Sequence, residues 1–198
     1  MKTLTYTLSL PLILFATLAA CAPTDGDELG METEEATSSA LAVTPQLQLS
    51  LSRLAISYGT ALDAIGDGNL DRGQTLLRGV IAPEGTASFA FPPGYEALDF
   101  STTGPDQLAQ AVANTFHALG FVRTQHHVTN IAVDRTSTTT AVMTSYITAP
   151  HVFANNDVLD ITARFRDEVR YRDDHWLIVR RDVTVTSLTR ATAFVPGA

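Results

Sequence analysis

Cysteine occurs once in the 198 residues, at Cys21, and lysine once, at Lys2; the other twelve basic residues are arginines. A lone cysteine cannot form an intramolecular disulfide, so the fold must rest on its core. Charge is sparse, at 17% of residues, while 45% are apolar. That combination excludes an extended disordered chain, which needs low hydrophobicity and high charge, and the composition fits neither collagen nor a coiled coil. Bases are scarcer than acids, 13 against 21, for a formal net charge of −8. Non-specific nucleic-acid binding needs Lys and Arg to displace counterions from phosphates, so no nucleic-acid partner is expected. A long hydrophobic run is missing too: Leu8–Ala20 is short of the roughly 20 apolar residues that span a bilayer comfortably. The sequence has no His-x-x-x-His pair and no cysteine cluster, so no metal site is expected. Serine-nucleophile motifs and phosphate-cradling glycine loops are absent as well.

What is present begins with that short run. It follows Lys2 and ends in small residues, the pattern of a secretory signal. Its end, Leu18-Ala19-Ala20-Cys21, resembles the lipobox of bacterial lipoproteins. The resemblance implies cleavage before Cys21, lipid on its sulfur, and a place in the bacterial cell envelope on the periplasmic or outer face of a membrane. The alternative is an ordinary signal peptide with an incidental cysteine. Residues 22–42 carry six acids and no base, and read as a solvated tether. The expected organisation is therefore a signal peptide over residues 1–20, a lipidated Cys21 with its tether over 21–44, and a folded domain over 45–198.

Within the domain, helices come first. Leu47, Leu51, Leu54, Tyr58, Leu62 and Ile65 recur in steps of three and four, which predicts an amphipathic helix stopped by Gly66-Asp67-Gly68. Asn69 or Asp67 caps a second short helix through Leu77. Ser88–Phe91 reads as a short strand, and Pro105 opens a third helix that Gly120 ends. The remainder is strand-like: Phe121–Asp134, Thr138–Val152, Val158–Arg172 and Trp176–Leu188, with Asp173-Asp174 as a hairpin turn. Three helices followed by a long antiparallel meander define an α+β fold.

Several residues resemble one family. Tyr58, Ala61-Leu62-Asp63, Gly66-Asp67, the run Thr124-Gln125-His126-His127-Val128-Thr129-Asn130, and Asp167, Val169-Arg170, Asp173 and Trp176 are similar to the SnoaL-like branch of the nuclear transport factor 2-like superfamily. The similarity spans residues 47–190. It implies a cone, with three N-terminal helices on a strongly curved antiparallel sheet enclosing an apolar pocket. Superfamily members include polyketide cyclases, ketosteroid isomerases, scytalone dehydratases and plain binding domains, so fold constrains function weakly. No cofactor is implied.

Asp167 breaks a strand face that is otherwise Leu159, Ile161, Ala163, Phe165, Val169 and Tyr171. Its register is similar to that of the acid/base aspartate in SnoaL-type cyclases. A desolvated carboxylate there is a usable acid or base; the other reading is a structural ion pair with an arginine. Thr124-Gln125-His126 resembles the Thr-Gln-His of scytalone dehydratases, which implies a site role for His126. His151, after Ala149-Pro150, stands where their second site histidine falls, and Asp63 matches the family's helix aspartate. Leu62, Phe89 and Phe165 replace polar groups of those dehydratases, so dehydration of the same substrate is not expected. The alternative for both histidines is a satisfied place in the cavity wall. His127 and His126 face opposite sides of a regular strand. Phe89, Asn130 and Phe165 complete the expected ligand contacts, with a backbone partner as the alternative for Asn130; Tyr58, on the apolar stripe of the first helix, reads as core packing, with a pocket hydroxyl as the alternative. Arg164, Arg166, Arg170 and Arg172 share one strand face, which reads as solvated or as a seat for the tether or the partner subunit of a homodimer.

These observations lead to an expected binder of a small hydrophobic or aromatic molecule, with acid/base lyase, isomerase or cyclase chemistry carried by Asp167, His126, His151 and Asp63. The rival reading is a non-catalytic ligand- or protein-binding module at the envelope.

Overall fold

The computed structural model describes residues 41–192. The signal peptide, Cys21 and most of the acidic tether lie outside the described residues. Thr44 starts α1 (Pro45–Gly66): its Oγ1 accepts from the Leu47 N–H at 3.2 Å, and Pro45 needs no partner for a missing N–H. All six residues of the predicted stripe, Leu47 to Ile65, are buried on one face of this helix. Asn69 caps α2 (Leu70–Arg78) by accepting from the Arg72 N–H. Gly104 precedes α3 (Pro105–Leu119), and Gly120 closes it in the left-handed conformation at φ 78°.

Seven strands form one strongly curled sheet: β1 (Ile81–Ala90), β2 (Phe100–Thr103), β3 (Phe121–Thr124), β4 (His127–Arg135), β5 (Thr140–Phe153), β6 (Val158–Arg172) and β7 (His175–Ala191). Their order is β2-β1-β7-β6-β5-β3, with β4 also on β5. The sheet is mixed, not wholly antiparallel, because β1 runs parallel to β7. A parallel pair needs a long crossover, and everything from β2 to β6 lies between these two strands in sequence. The first strand is also longer than the expected Ser88–Phe91. Its early half carries Pro83 and Gly85 and is bulged between Ile81 and Thr86, so it does not read as a strand by composition.

Long β5, β6 and β7 supply the concave wall. Register shifts between β6 and β7 at Thr162/Ala163 and Glu168/Val169 bend the ladder. Asp173 and Asp174, at φ 50° and 62°, make the two-residue turn that joins them. The alternation predicted for β6 places Ala163, Phe165, Asp167 and Val169 inside and Arg164, Arg166 and Arg170 outside. Tyr171, at the end of the strand, is 39% exposed and packs beside Trp176. Helix α1 lies across the concavity, and Leu51, Tyr58, Leu77, Ile81, Leu108, Met143 and Ile178 meet there with essentially no exposed surface.

Candidate functional site at the cone cavity

The last turns of α1 approach the β3–β4 junction without side chains in the way. A Cβ on Gly59 would stand 3.1 Å from His126 Cβ, and one on Gly66 would stand 2.4 Å from Thr124 Oγ1. This close approach brings Asp63, on α1, against Thr124 and His126. The expected continuous strand 121–134 is broken at Gln125-His126, where the chain leaves β3 and re-enters as β4. His126 therefore points inward, while His127 begins β4 exposed.

Asp63 holds this junction with both oxygens. Its Oδ1 lies 2.6 Å from His126 Nδ1 and accepts from Thr124 Oγ1 at 3.3 Å; Oδ2 accepts from the His126 backbone N–H at 3.2 Å. A carboxylate only accepts, so His126 donates from Nδ1; in the neutral imidazole that leaves the lone pair on Nε2. The His126 side chain is 6% exposed and that of Asp63 27%. The pair thus sits at the edge of the interior, not sealed inside it.

His126 opens on a cavity of about 400 Å³. Phe89, Phe91, Phe100, Phe116, Phe121 and Phe165 line it, with aliphatic residues such as Leu62, Val112 and Ile147. No Lys, Arg, Asp or Glu is among its lining residues. His151 lines it too. That ring, on β5, packs against Phe121, Phe116 and His126 at centroid distances of 4.6, 5.3 and 5.7 Å. Its Nδ1 is 2.7 Å from the Ala149 carbonyl oxygen. Burial, reinforced by the neighbouring His126, pushes His151 down to about 4, so it is neutral at pH 7.

Of the residues expected from sequence, the fold thus brings together Asp63, His126, His151, Phe89 and Phe165. Three others lie elsewhere. Asn130 is exposed, with φ 50°, in the β4 bulge between Thr129 and Ala132. The extra residue of the bulge breaks the alternation that would have carried Asn130 inward with His126. Tyr58 is fully buried beneath Arg181, whose Cζ stands 3.7 Å from the ring centroid, and it does not line the cavity.

Asp167 faces inward as expected but does not line the cavity either. Its Oδ1 and Oδ2 accept from Arg181 Nε and Nη2 at 2.6 and 2.7 Å, and both side chains have zero exposure. The rings of Phe165 and Tyr58 cover the guanidinium. These surroundings match the structural ion pair and do not support an acid/base role. Burial works against the Arg181 cation, but Asp167 and, to a smaller extent, Tyr58 together offset it and raise the arginine's pKa. Arg181 went unnoticed in the sequence although it carries a signal. It falls in step with Val183 and Val185 on β7, as Asp167 does with Phe165 and Val169 on β6. Two opposite charges on apolar faces of adjacent strands predict a buried pair. Among the described residues no three His, Cys, Asp or Glu side chains converge as metal ligands.

Helices on a curled sheet around an apolar cavity with a histidine–aspartate pair define the class. A family model described as a SnoaL-like domain matches residues 52–182, and the chain belongs to that family. The LinA-type3 hexachlorocyclohexane dehydrochlorinase of Novosphingobium barchaimii LL02 shares 19% identity over 76% of this chain and 99% of its own, with a TM-score of 0.54. A candidate scytalone dehydratase of Novosphingobium aromaticivorans DSM 12444 shares 22% over 74% and 88%, at 0.53. A nuclear transport factor 2-like protein of Salmonella enterica serovar Typhimurium shares 17% over 79% and 99%, at 0.55. At these identities the likeness shows the fold. No curated protein matches the chain.

Proposed function

We propose that the cone binds an uncharged apolar or aromatic molecule and that His126, oriented by Asp63, removes a proton from it. The observation that carries this reading is the 2.6 Å Asp63–His126 contact at the wall of a cavity without charged lining. Asp63 fixes the tautomer and stabilises the imidazolium that forms, while Nε2 is left to act as general base. The apolar lining keeps water from competing for that lone pair.

The same geometry narrows the chemistry. His151, held near 4, supplies no proton at neutral pH, and Asp167 is enclosed with Arg181. The reading is therefore a lyase or isomerase step in which the leaving group departs without an acid, or in which the proton is returned elsewhere on the carbon skeleton. Loss of chloride, as in the dehydrochlorinase relative's name, is of this kind.

A suitable probe is 5-nitrobenzisoxazole, an uncharged aromatic with one acidic ring C–H. His126 Nε2 takes that proton, the ring N–O bond breaks, a nitrile forms, and the oxygen leaves as a coloured phenolate. The wild-type protein is expected to accelerate ring opening, and His126→Ala to lower the rate by about 10²-fold or more. Equal rates for the two proteins would instead favour the non-catalytic binding module.

We also propose an envelope location, supported by the lipobox-like Leu18-Ala19-Ala20-Cys21. Lipid on Cys21 would hold the domain at a membrane through the acidic tether. Cys21→Ser is expected to release the protein from the membrane fraction; a variant still retained in high salt would refute the anchor.

A further inference from the structure

Most of the cavity wall is tied to the rest of the fold. The strands that line it are held by the sheet ladder, and α3 by its buried Leu108, Ala109 and Val112. The connection from β1 to β2 differs. Its Phe91, Gly94, Tyr95, Ala97 and Leu98 line the cavity, yet none of residues 91–99 is buried. Among the described residues, every hydrogen bond of Phe91–Asp99 closes within the segment. The Tyr95, Leu98 and Asp99 N–H groups donate to the carbonyls of Pro92, Tyr95 and Glu96 at 3.0, 2.9 and 3.0 Å, and the Gly94 N–H donates to Glu96 Oε2 at 2.8 Å. The two ends meet where the Phe91 N–H donates to Asp99 Oδ1 at 2.7 Å, next to the stacked Phe89 and Phe100 rings with centroids 4.3 Å apart. A compact loop bonded to itself, and resting on its neighbours through apolar side chains, moves as a unit about its neck.

Resting on the reading of the cavity as a binding site, we propose that Phe91–Asp99 is a lid that swings outward to admit the ligand, and that Asp99 latches it shut. Beyond the neck the segment is bonded only to itself, so its swing bends the chain at the neck and breaks the Phe91–Asp99 contact. Pro92 and Pro93 have fixed φ, which stiffens the leg that leaves β1. Closed, the lid completes the apolar lining around His126 and keeps water from the ring. Asp99 is exposed and does not line the cavity, so removing its side chain acts on the lid and not on the ligand.

The test follows the uncharged, environment-sensitive fluorophore N-phenyl-1-naphthylamine into the full chain by stopped flow. Asp99→Ala is expected to raise its association and dissociation rate constants together, each by about tenfold, and to leave the Kd within about threefold of the wild type. Altered ligand contacts would instead change dissociation alone. Hydrogen exchange of the wild-type protein gives a readout independent of that variant. The Gly94, Tyr95, Leu98 and Asp99 amides should exchange as one group, faster than those of β6, and should slow together when the probe binds. Unchanged rate constants in Asp99→Ala, a rise in dissociation alone, or lid amides as protected as β6 and indifferent to the probe, would overturn the lid while leaving the cavity reading intact. Failure of the probe to bind would overturn the cavity reading and this inference with it.

Discussion

Two carboxylates inside this cone each grip a basic side chain at 2.6 Å, yet they do different work. Asp167 and Arg181 have no exposed surface and are roofed by Phe165 and Tyr58. Arginine holds its proton at any physiological pH, so this pair has none to exchange. Asp63 and His126 keep a little exposure, and His126 lines the apolar cavity. Histidine can give and take a proton near neutrality, so the same carboxylate contact here orients the ring that we propose as the base. A buried acid on an apolar face is therefore not by itself a catalytic signal. The partner's ability to titrate and the presence of a cavity decide.

Breaking the sealed pair should have the largest effect on stability. Asp167→Asn leaves the Arg181 cation without its counter-charge where water does not reach. Loss of one partner of such a pair costs on the order of 3–5 kcal/mol, and urea unfolding should show it. Replacing both, as Asp167→Leu with Arg181→Met, should recover most of the loss. A wild-type unfolding midpoint for Asp167→Asn would erase the distinction between the two pairs.

His151 sharpens the comparison through pH. Its folded value of about 4 lies below the ordinary 6.5, because burial and His126 disfavour the cation. The unfolded chain therefore takes up this proton first as the pH falls. The contribution to stability is complete above about 6.5, declines from there to about 4, and is gone below that. Its size is on the order of 3 kcal/mol for this buried ring. Carboxylates also titrate in this window, so the informative quantity is a difference. The wild-type protein should lose about that much more stability between pH 7 and pH 4 than His151→Phe, by urea unfolding at both pH values. Parallel pH profiles would contradict it.

How much was legible depended on whether a local pattern governed the residue. The α1 stripe and the β6 alternation are periodicities of single elements, and tertiary packing obeys them. Asp63, His126 and His151 were found through the family resemblance, not through spacing: they are distant in sequence and meet only because α1 packs on β3 and β4 while β5 pairs with β3. Asn130 failed where a bulge interrupts the period-two rule. Asp167 was picked out correctly as an anomaly, but its role depended on Arg181, fourteen residues away on the neighbouring strand. The parallel β1–β7 pairing was hidden for a similar reason. Its register is set by a long crossover, and Pro83 and Gly85 mask the start of β1.

The reactive-pair claim is tested most directly by Asp63→Asn with the benzisoxazole probe. Asparagine keeps the shape at the α1–β3 junction but removes the charge that orients and stabilises the His126 imidazolium. Probe turnover at pH 7 should fall by about 10²-fold, while the unfolding midpoint stays close to that of the wild type. Wild-type turnover in Asp63→Asn would contradict the account, since His126 would then act as a base without the carboxylate that the structure places against it.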